Sequence, residues 1–499
     1  MEHLDVLVVG AGLAGLGFAH HLQEQHSHRS FAILEARDRL GGTWDLFRYP
    51  GVRSDVDLHL YGYAHRPWTG RIGVAPAEDI LGYLDGMAED EGLSAKVRTG
   101  HKVLSADWSN EDARWVVTCE RPDGGTVRLS CSWLQMCAGY YSYAGGHAPD
   151  FAGQDRFGGQ IVHPQAWPDD LDLNGKKVVV IGSGATAITL IPAIARQAAH
   201  VTMLQRSPSY VYGGPSDDRW TRLLRRLLPT RAAYAATRWK NLQLDRLRYW
   251  MSVHRPETVK AQVRKAALAH LPEGFDFERH FAPAHEPHEQ RVCLVPDGDL
   301  FRALGSGRAS VVTDRIEAFE ADGIRLASGE KLEADVIVTA TGLKMAMAGE
   351  AKFAVDGEPF AFADKWVYRG VMFSGVPNMA LTVGTLVHPY TLRVEMIARW
   401  VCRVLAHMDE VGARVAVPEL PMAEADMPAR PFTEEFSSGY ILRAIERFPK
   451  QGDADPWLNH QSYDDNKRMF GEPVADGTLR FGMGLARTDE RALQAAEAA

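Results

Sequence analysis

The sequence predicts an α/β protein with two Rossmann-like dinucleotide-binding domains and a helical insertion. Two β-branched apolar runs, at residues 5–9 and 177–181, have the pattern of buried parallel strands. Each run leads directly into a glycine-rich turn and then into an apolar pattern with helical spacing. The chain of 499 residues is also too long for one compact unit, so two or three domains are expected.

The first glycine-rich turn contains Gly10, Gly12, Ala14 and Gly15, which fit a G-x-G-x-x-G motif. Its glycines permit a tight turn and let backbone N–H groups approach a pyrophosphate at a helix N-terminus. The next strand pattern, at residues 31–34, leads into Glu35, about 20 residues after the last glycine. A carboxylate there can accept hydrogen bonds from ribose hydroxyls. Because a carboxylate disfavours a 2′-phosphate, this site suits FAD or NAD rather than NADP.

The second glycine-rich turn contains Gly182, Gly184 and Ala187, a G-x-G-x-x-A variant whose third position needs only a small residue. The strand pattern that follows it ends in Gln-Arg-Ser instead of an acid. Arg206 can bind a 2′-phosphate through its guanidinium, and Ser207 can donate a hydrogen bond to it. This site predicts NADPH, and two such sites in one chain predict hydride transfer from NADPH to a flavin.

Composition excludes several other classes of protein. The formal net charge of −9 provides no basic excess for nucleic acid. The five cysteines include no C-x-x-C pair, and the cluster of His280, His285 and His288 lacks the H-E-x-x-H order, so no metal is expected. No apolar run approaches the ~18 residues of a membrane span, and no basic leader precedes the first strand. A cytoplasmic protein without an integral membrane segment is expected.

Two longer motifs separate monooxygenases from other flavoproteins. Residues 157–168 read F-x-G-x-x-x-H-x-x-x-W-P, between the two nucleotide sites. Residues 41–55 read G-G-x-W, four residues, Y-P-G, three residues and Asp. Both resemble the signatures of type I Baeyer–Villiger monooxygenases, which are class B flavoprotein monooxygenases. The resemblance extends from residue 4 to about residue 485 and looks closest to the ethionamide-activating branch.

The resemblance implies the domain organisation and the cofactor contacts. An FAD-binding domain is expected at residues 1–148 and 346–499, and an NADPH-binding domain at 149–345 with a helical insertion at about 213–289. The implied FAD contacts are Ala14, Glu35, Thr43, Trp44, Asp45, Leu46, Asp55 and Val103. The implied NADPH contacts are Arg53, Ser54, Asp55, Gly182, Ser183, Gly184, Ala185, Thr186, Ala187, Ile188, Arg206 and Ser207.

The resemblance also implies an active-site arginine. The run at 290–296 is similar to a strand that the family places directly after this arginine, which is Arg291 here. Arg291 is expected to stabilise negative charge on a C4a-peroxyflavin and on the oxyanion of a ketone adduct. Asp55 is expected to pair with Arg291 and to orient it. The family often has lysine where this chain has Gln290, so one phosphate-binding charge is missing.

The expected reaction uses O2 to convert a small-molecule ketone to an ester or lactone, with sulfoxidation of sulfides as a side activity. An N- or S-oxygenating flavin-containing monooxygenase is the alternative enzyme, and a flavin-bearing redox sensor is a hypothesis from another class. The sequence leaves the substrate and the oligomeric state open. The stretch at 219–265, rich in Arg, Lys and Leu, predicts solvated helix faces or, as the second interpretation, a membrane-surface helix.

Overall fold

The structure is a computed structural model that describes residues 1–70, 72–421, 426–434 and 436–484. The end of the predicted C-terminal range, residues 485–499, lies outside the described residues. The described helices are α1 Leu13–Gln25, α2 Thr43–Leu46, α3 Leu58–Tyr61, α4 Ala77–Asp90, α5 Ala185–Ile194, α6 Arg219–Leu227, α7 Thr230–His254, α8 Pro256–Leu268, α9 Phe277–Phe281, α10 Asp299–Gly305, α11 Tyr390–Val411, α12 Gly439–Leu442 and α13 Tyr463–Gly471.

The first sheet carries the first glycine-rich turn and has nine strands in the described part of the chain. Across the sheet they are Glu358–Phe360, Lys352–Val355, Lys102–Ser109, Arg114–Glu120, Thr126–Met136, Glu2–Val9, Phe31–Leu34 and Val97–Arg98, with Met379–Leu381 also paired to Thr126–Met136. Glu2–Val9 is parallel to both of its neighbours. The turn therefore leaves the sheet at a carboxyl edge, where ligands bind in open α/β sheets.

The second sheet carries the second glycine-rich turn, and its five described strands are all parallel. Their order is Ala309–Thr313, His200–Gln205, Lys177–Ile181, Val336–Thr339 and Gln160–Val162. Apolar side chains of Lys177–Ile181 are buried on both faces, as the unbroken valine run predicts. Two glycine turns, each between a parallel strand and a helix, confirm the predicted fold class.

Helices α6 to α9 lie where a helical insertion is expected, but the beginning of that range is a strand. Residues 213 and 214 belong to Val211–Gly214, which pairs in parallel with Cys293–Pro296. This pairing joins the two ends of the helical segment. None of the described helices combines the length and the apolar character that crossing a bilayer requires.

The remaining described strands form small sheets around these units. They are Ile316–Glu320, Gly323–Leu326 and Lys331–Glu333; Val367–Tyr368 with Met372–Phe373; Val415–Pro418 with Leu479–Gly482; and Arg430–Pro431 with Lys450–Gln451.

Two glycines show how closely the elements around the site approach each other. A Cβ on Gly15 would lie 1.8 Å from the Gly10 carbonyl oxygen, so α1 packs directly on the turn that precedes it. A Cβ on Gly51 would lie 2.6 Å from the carbonyl oxygen of Thr189 in α5. Gly51 belongs to the 41–55 motif, so this motif contacts the helix of the second glycine turn.

Candidate active site

A cleft of about 480 Å³ opens at the carboxyl edge of the first sheet. Gly10, Gly12, Leu13 and Ala14 line it. Because α1 begins at Leu13, the N–H groups of its first turn have no intrahelical partners and favour an anion. Glycine at positions 10 and 12 keeps side chains out of this part of the cleft, so the turn fits a pyrophosphate.

Glu35 is buried in the wall of the same cleft. Its Oε2 accepts a hydrogen bond from the N–H of Ala11 at 2.9 Å, and its Oε1 accepts one from the N–H of Arg37 at 2.9 Å. Burial raises the pKa of Glu35, and these backbone donors partly oppose the rise. A carboxylate has about four acceptor sites, so lone pairs remain for ribose hydroxyls.

The 41–46 segment is held in place by a buried carboxylate. Asp45 is only 1% exposed and accepts hydrogen bonds from Arg37 Nε at 2.6 Å and from Arg48 Nη2 at 3.2 Å. Trp44 lines the cleft, and its Nε1 donates to the hydroxyl of Tyr61 at 3.2 Å. The Asp45 side chain thus supports the loop, whereas Trp44 faces the ligand space.

Three other predicted FAD contacts occupy two different environments. Thr43 and Val103 line the cleft, and their contact with FAD stays a prediction. Leu46 packs instead against the core cluster that contains Ile188. Any contact of Leu46 with a ligand in the cleft would have to come from its backbone.

Arg53 and Ser54 are engaged within the protein. Arg53 donates to both carboxylate oxygens of Asp299, at 2.6 and 3.2 Å. Ser54 is buried, and its hydroxyl donates to the carbonyl of Val56 at 2.5 Å. Their predicted NADPH contacts require Arg53 to leave Asp299, or the contacts to be made by the backbone.

Arg291 and Asp55 meet in the cleft, as predicted. Nη1 of Arg291 donates to Oδ2 of Asp55 at 2.9 Å, and both residues line the cleft. The Asp55 carboxylate raises the pKa of Arg291, so this arginine stays charged throughout the physiological pH range. The Arg291 side chain is 39% exposed, and among described acceptors only Asp55 binds it, which leaves most of its five donors available.

A group of tyrosines surrounds this ion pair, and no motif marks them in the sequence. The hydroxyl of Tyr141 donates to that of Tyr140 at 3.1 Å, and the rings of Tyr140 and Tyr390 stack 6.1 Å apart. Burial raises the pKa of Tyr61, Tyr141 and Tyr390, so these side chains are neutral hydrogen-bonding groups. Only the position of Tyr140 and Tyr141 just after a sheet strand could have suggested them.

The second glycine turn has the form of a second phosphate site. A Cβ on Gly182 would lie 2.3 Å from the Ala340 carbonyl oxygen, so only glycine fits there. Gly184 immediately precedes α5, and no other group lies within 4 Å of its Cβ position. The predicted contacts at 185–188 form the first turn of α5, with the first two accessible and the last two buried.

Arg206 is placed to meet a 2′-phosphate beside this turn. It follows the strand His200–Gln205, is exposed, and makes no side-chain hydrogen bond or ion pair with another described residue. Ser183 in the turn is joined to the same segment, since its hydroxyl donates to the carbonyl of Ser207 at 3.2 Å. An accessible arginine without a protein partner is available for an anionic ligand.

The 157–168 motif packs against the segment of the chain that connects the two sheets. His163 Nδ1 accepts a hydrogen bond from the N–H of Gln165 at 3.1 Å, and Gln165 Nε2 donates to the carbonyl of Ser142 at 2.8 Å. A Cβ on Gly146 would lie 1.9 Å from the His163 ring. His163 therefore packs on the segment that leaves the first sheet, and it does not line the cleft.

An apolar cavity adjoins the cleft and shares Tyr140 and Thr385 with it. Phe432, Ile441 and Phe448 line its far side. This cavity measures about 30 Å³, so it admits a group about the size of a methyl. The sequence did not predict this cavity, because its walls come from six separate stretches of the chain.

Comparison with known proteins identifies the family. The NAD(P)-binding Rossmann-like domain matches residues 8–68, and the flavin-binding monooxygenase-like family matches residues 74–419. FAD-containing monooxygenase EthA of Mycobacterium tuberculosis is 46% identical over 482 residues, which cover 96% of this chain and 98% of EthA. Probable FAD-binding monooxygenase AlmA of Acinetobacter sp is 42% identical over 482 residues, which cover 96% of each protein.

Solved structures agree with this assignment. Oxidized steroid monooxygenase bound to NADP superposes with a TM-score of 0.76 at 25% identity, over 97% of this chain and 100% of that chain. Cyclohexanone monooxygenase has a TM-score of 0.74 at 19% identity over 96% of this chain and 100% of that chain, which shows a shared fold. These relatives carry the predicted cofactor types in their names. The chain therefore belongs to the flavin-binding monooxygenase-like family.

Proposed function

We propose that this chain is an FAD- and NADPH-dependent Baeyer–Villiger monooxygenase that converts ketones to esters or lactones, with sulfoxidation as a side activity. The balanced reaction consumes a ketone, O2, NADPH and a proton, and yields the ester, NADP+ and water. The ion pair of Arg291 and Asp55 in the cleft, 2.9 Å long, is the observation that supports this function best. The two sequence motifs at 41–55 and 157–168 support it independently.

FAD would occupy the cleft, with its pyrophosphate at the N-terminus of α1 and its adenosine ribose at Glu35. NADPH would bind the second glycine turn, with its 2′-phosphate at Arg206. When bound, FAD would supply the chemistry for accepting hydride from NADPH and for activating O2. The protein's part is to hold the two cofactors, to exclude water and to provide charge where the substrate needs it.

Arg291 would act on the substrate oxygen. Attack on a ketone carbonyl moves negative charge onto that oxygen, and a fixed cationic donor stabilises the charge where it develops. Loss of one such donor costs roughly 2.7–4 kcal/mol of transition-state stabilisation. Asp55 would orient the guanidinium, and the ketone would lie in the cleft that both residues line.

The second candidate is an N- or S-oxygenating flavin monooxygenase. The matched family model covers flavin-binding monooxygenases in general, which favours no single acceptor atom. Oxygen transfer to a sulfide forms no tetrahedral oxyanion, so it needs Arg291 less than ester formation does. The two candidates therefore differ in the products and in their dependence on this residue.

Product analysis separates the two candidates. We would incubate the FAD-loaded enzyme with NADPH, 18O2 and a panel of linear, cyclic and aryl ketones and sulfides, and identify products by mass spectrometry. Esters or lactones carrying one 18O atom are expected from at least one class of ketone. Sulfoxides without ester from any ketone would support the second candidate. NADPH oxidation alone does not count, because uncoupled turnover also consumes NADPH.

A further inference from the structure

The exposed hydrophobic side chains of the protein are concentrated on α6 and α7. Nine of the fourteen exposed large hydrophobic residues in the described chain lie between positions 220 and 253. We call this set the α6–α7 face; it consists of Trp220, Leu223, Leu227, Leu228, Trp239, Leu244, Leu247, Trp250 and Val253. Its three tryptophans are 48–67% exposed. Exposed apolar side chains gathered on two consecutive helices are typical of an interaction site.

On helix α6, an apolar stripe lies on the side opposite to the one that contacts the rest of the protein. Trp220, Leu223 and Leu227 are spaced i, i+3 and i+7, which places them on one stripe of the helix. Thr221 is buried, and Arg225 points inward, since its Nη1 donates to the carbonyl of Gly70 at 2.7 Å. The inner side is therefore polar and fixed, whereas the outer side is apolar.

Helix α7 has the same arrangement. Tyr234 and Thr237 are buried against the body, and the hydroxyl of Tyr234 donates to the carbonyl of Tyr63 at 2.8 Å. Trp239 and Trp250 lie on the opposite side of the helix at 100° per residue. Each helix already packs on the rest of the protein through its other side, so its exposed apolar side is not needed for folding.

The charge of this segment is opposite to that of the whole chain. Residues 219–255 contain ten Arg and Lys residues and one Asp, whereas the chain has a net charge of −9. Five exposed arginines here make no side-chain hydrogen bond or ion pair with another described residue. They are Arg219, Arg226, Arg231, Arg248 and Arg255. They are available to bind anions outside the protein.

We propose that the α6–α7 face docks the protein onto the surface of an anionic lipid bilayer. Tryptophan and leucine side chains on a basic amphipathic helix enter the boundary between headgroups and acyl chains, and arginines bind the lipid phosphates. A second copy of the chain is a poorer occupant, because an isologous contact would bring two positive segments together. Docking of this kind needs no helix that crosses the membrane.

The docked face is connected to the cleft through one layer of side chains. On α7, Asp245 Oδ2 accepts a hydrogen bond from His388 Nδ1 at 2.6 Å. The N–H of His388 in turn donates to the hydroxyl of Thr385, at 3.2 Å, and Thr385 lines both the cleft and the apolar cavity. A membrane-dissolved apolar substrate would thus be released close to the cavity, a consequence that rests on the proposed function although docking itself does not.

Vesicle flotation of the full FAD-loaded chain tests the docking. We would use vesicles of phosphatidylcholine alone and of phosphatidylcholine mixed with phosphatidylglycerol. The protein is expected to float with the anionic vesicles only, and to dissociate as salt is raised toward ~0.5 M, which shortens the range of surface electrostatics. No turnover is involved, so failure of this experiment would leave the proposed monooxygenase activity untouched.

Two groups of variants identify the face. The triple variant Arg219→Gln, Arg226→Gln, Arg248→Gln and the triple variant Trp220→Ser, Trp239→Ser, Trp250→Ser should each lower partitioning at least about tenfold. The matched control, Arg308→Gln with Val411→Ser, changes exposed residues elsewhere and should bind as the unmodified chain does. Flavin content checks that each variant is folded.

Three outcomes overturn the proposal. They are equal binding to neutral and anionic vesicles, no binding to either, and unchanged binding of both triple variants. Sedimentation velocity addresses a second copy as the occupant. Self-association that the Trp→Ser variant abolishes, without vesicle binding, would assign the face to a dimer instead.

Discussion

Arg291 and Asp55 are 236 positions apart, yet their side chains form one functional pair in the cleft. The carboxylate of Asp55 holds the guanidinium of Arg291 in one position, although the arginine side chain is partly exposed to the cleft. The pair could be predicted because each residue stands in a recognisable motif. Their roles in catalysis stay predictions, and substitution can separate catalysis from support of the structure.

Arg291→Ala should strongly lower the rate of ester formation while leaving earlier steps intact. The arginine matters where negative charge develops on oxygen, whereas hydride transfer to flavin precedes that charge. The variant should bind FAD, be reduced by NADPH at an appreciable rate, and lose ester formation roughly 10²–10³-fold. Stopped-flow reduction and product analysis measure the two steps separately, and consumed oxygen should appear as hydrogen peroxide.

Asp55→Ala provides the comparison for this prediction. It leaves Arg291 present but without its positioning partner, so a smaller loss of ester formation is expected. Partial loss of FAD is also expected, because Asp55 lines the cleft. If Arg291 were only a structural residue, Arg291→Ala would lower protein yield and flavin content together. Ester formation by Arg291→Ala at nearly the unmodified rate would remove it from the proposed active site.

Arg206 should determine the preference for NADPH over NADH. It is exposed beside the second glycine turn and has no partner among the described residues. We expect a preference of roughly tenfold or more in kcat/KM, equivalent to about 1.4 kcal/mol. Arg206→Ala should reduce that preference mainly by raising KM for NADPH. Arg308 is also exposed, and Arg308→Ala should leave the preference unchanged. Equal efficiency of the unmodified enzyme with both coenzymes would contradict the assignment.

Among the elements, local patterns predicted the strand before each glycine turn, the turn itself and the helix after it. The strands at 31–34 and 177–181 have the predicted bounds, because unbroken apolar runs identify buried strands. Contacts between distant segments could be predicted only where a motif marks both residues, as for Arg291 and Asp55. The tyrosines around Arg291 and the apolar cavity arise only when several segments meet, and Leu46 points into the core although its motif predicted a contact.

The first glycine turn should tolerate no side chain at Gly15. Gly15→Ala places a Cβ 1.8 Å from a backbone oxygen, so the turn or α1 must move. We expect loss of bound FAD and destabilisation of about 1–3 kcal/mol. Gly82→Ala in α4 is the matched control: it lies in a helix with nothing within 4 Å of the new Cβ, and alanine should be neutral or stabilising there. Flavin absorbance and thermal unfolding report both effects.

At the scale of the whole molecule, the domain boundaries at 148/149 and 345/346 stay predictions. The two sheets meet through the 41–55 and 157–168 motifs, and helix α7 contacts the loop that lines the cleft. Arg238 of α7 also forms an ion pair with buried Glu395 of α11 at 2.9 Å. Helix α7 is thus joined to α11 and to the loop beside the cleft, contacts that the sequence pattern could not indicate.

A group of histidines near the end of α1 should make the whole fold sensitive to acid. His20 and His65 stack with ring centroids 3.5 Å apart, and His20 Nδ1 lies 2.8 Å from Glu91 Oε2. Burial, reinforced by the neighbouring His20, lowers the pKa of His21 and of His65 to about 3. Both nitrogens of His21 are buried without a hydrogen-bond partner among the described residues. Folding therefore favours the neutral rings.

The sign of the pH dependence follows from these pKa values. In the unfolded chain a histidine titrates near ~6.5. The stability that the fold gains by keeping His21 and His65 neutral is therefore complete above that pH. It is lost as pH falls from about 6.5 toward 3, by up to about 1.4 kcal/mol per pH unit for each histidine. His21→Leu, a buried apolar replacement, should narrow the difference in Tm between pH 7.5 and pH 5, whereas His28→Gln at an exposed position should not. If Tm falls by the same amount between pH 7.5 and pH 5 in the unmodified chain and in His21→Leu, this buried histidine does not determine the acid sensitivity.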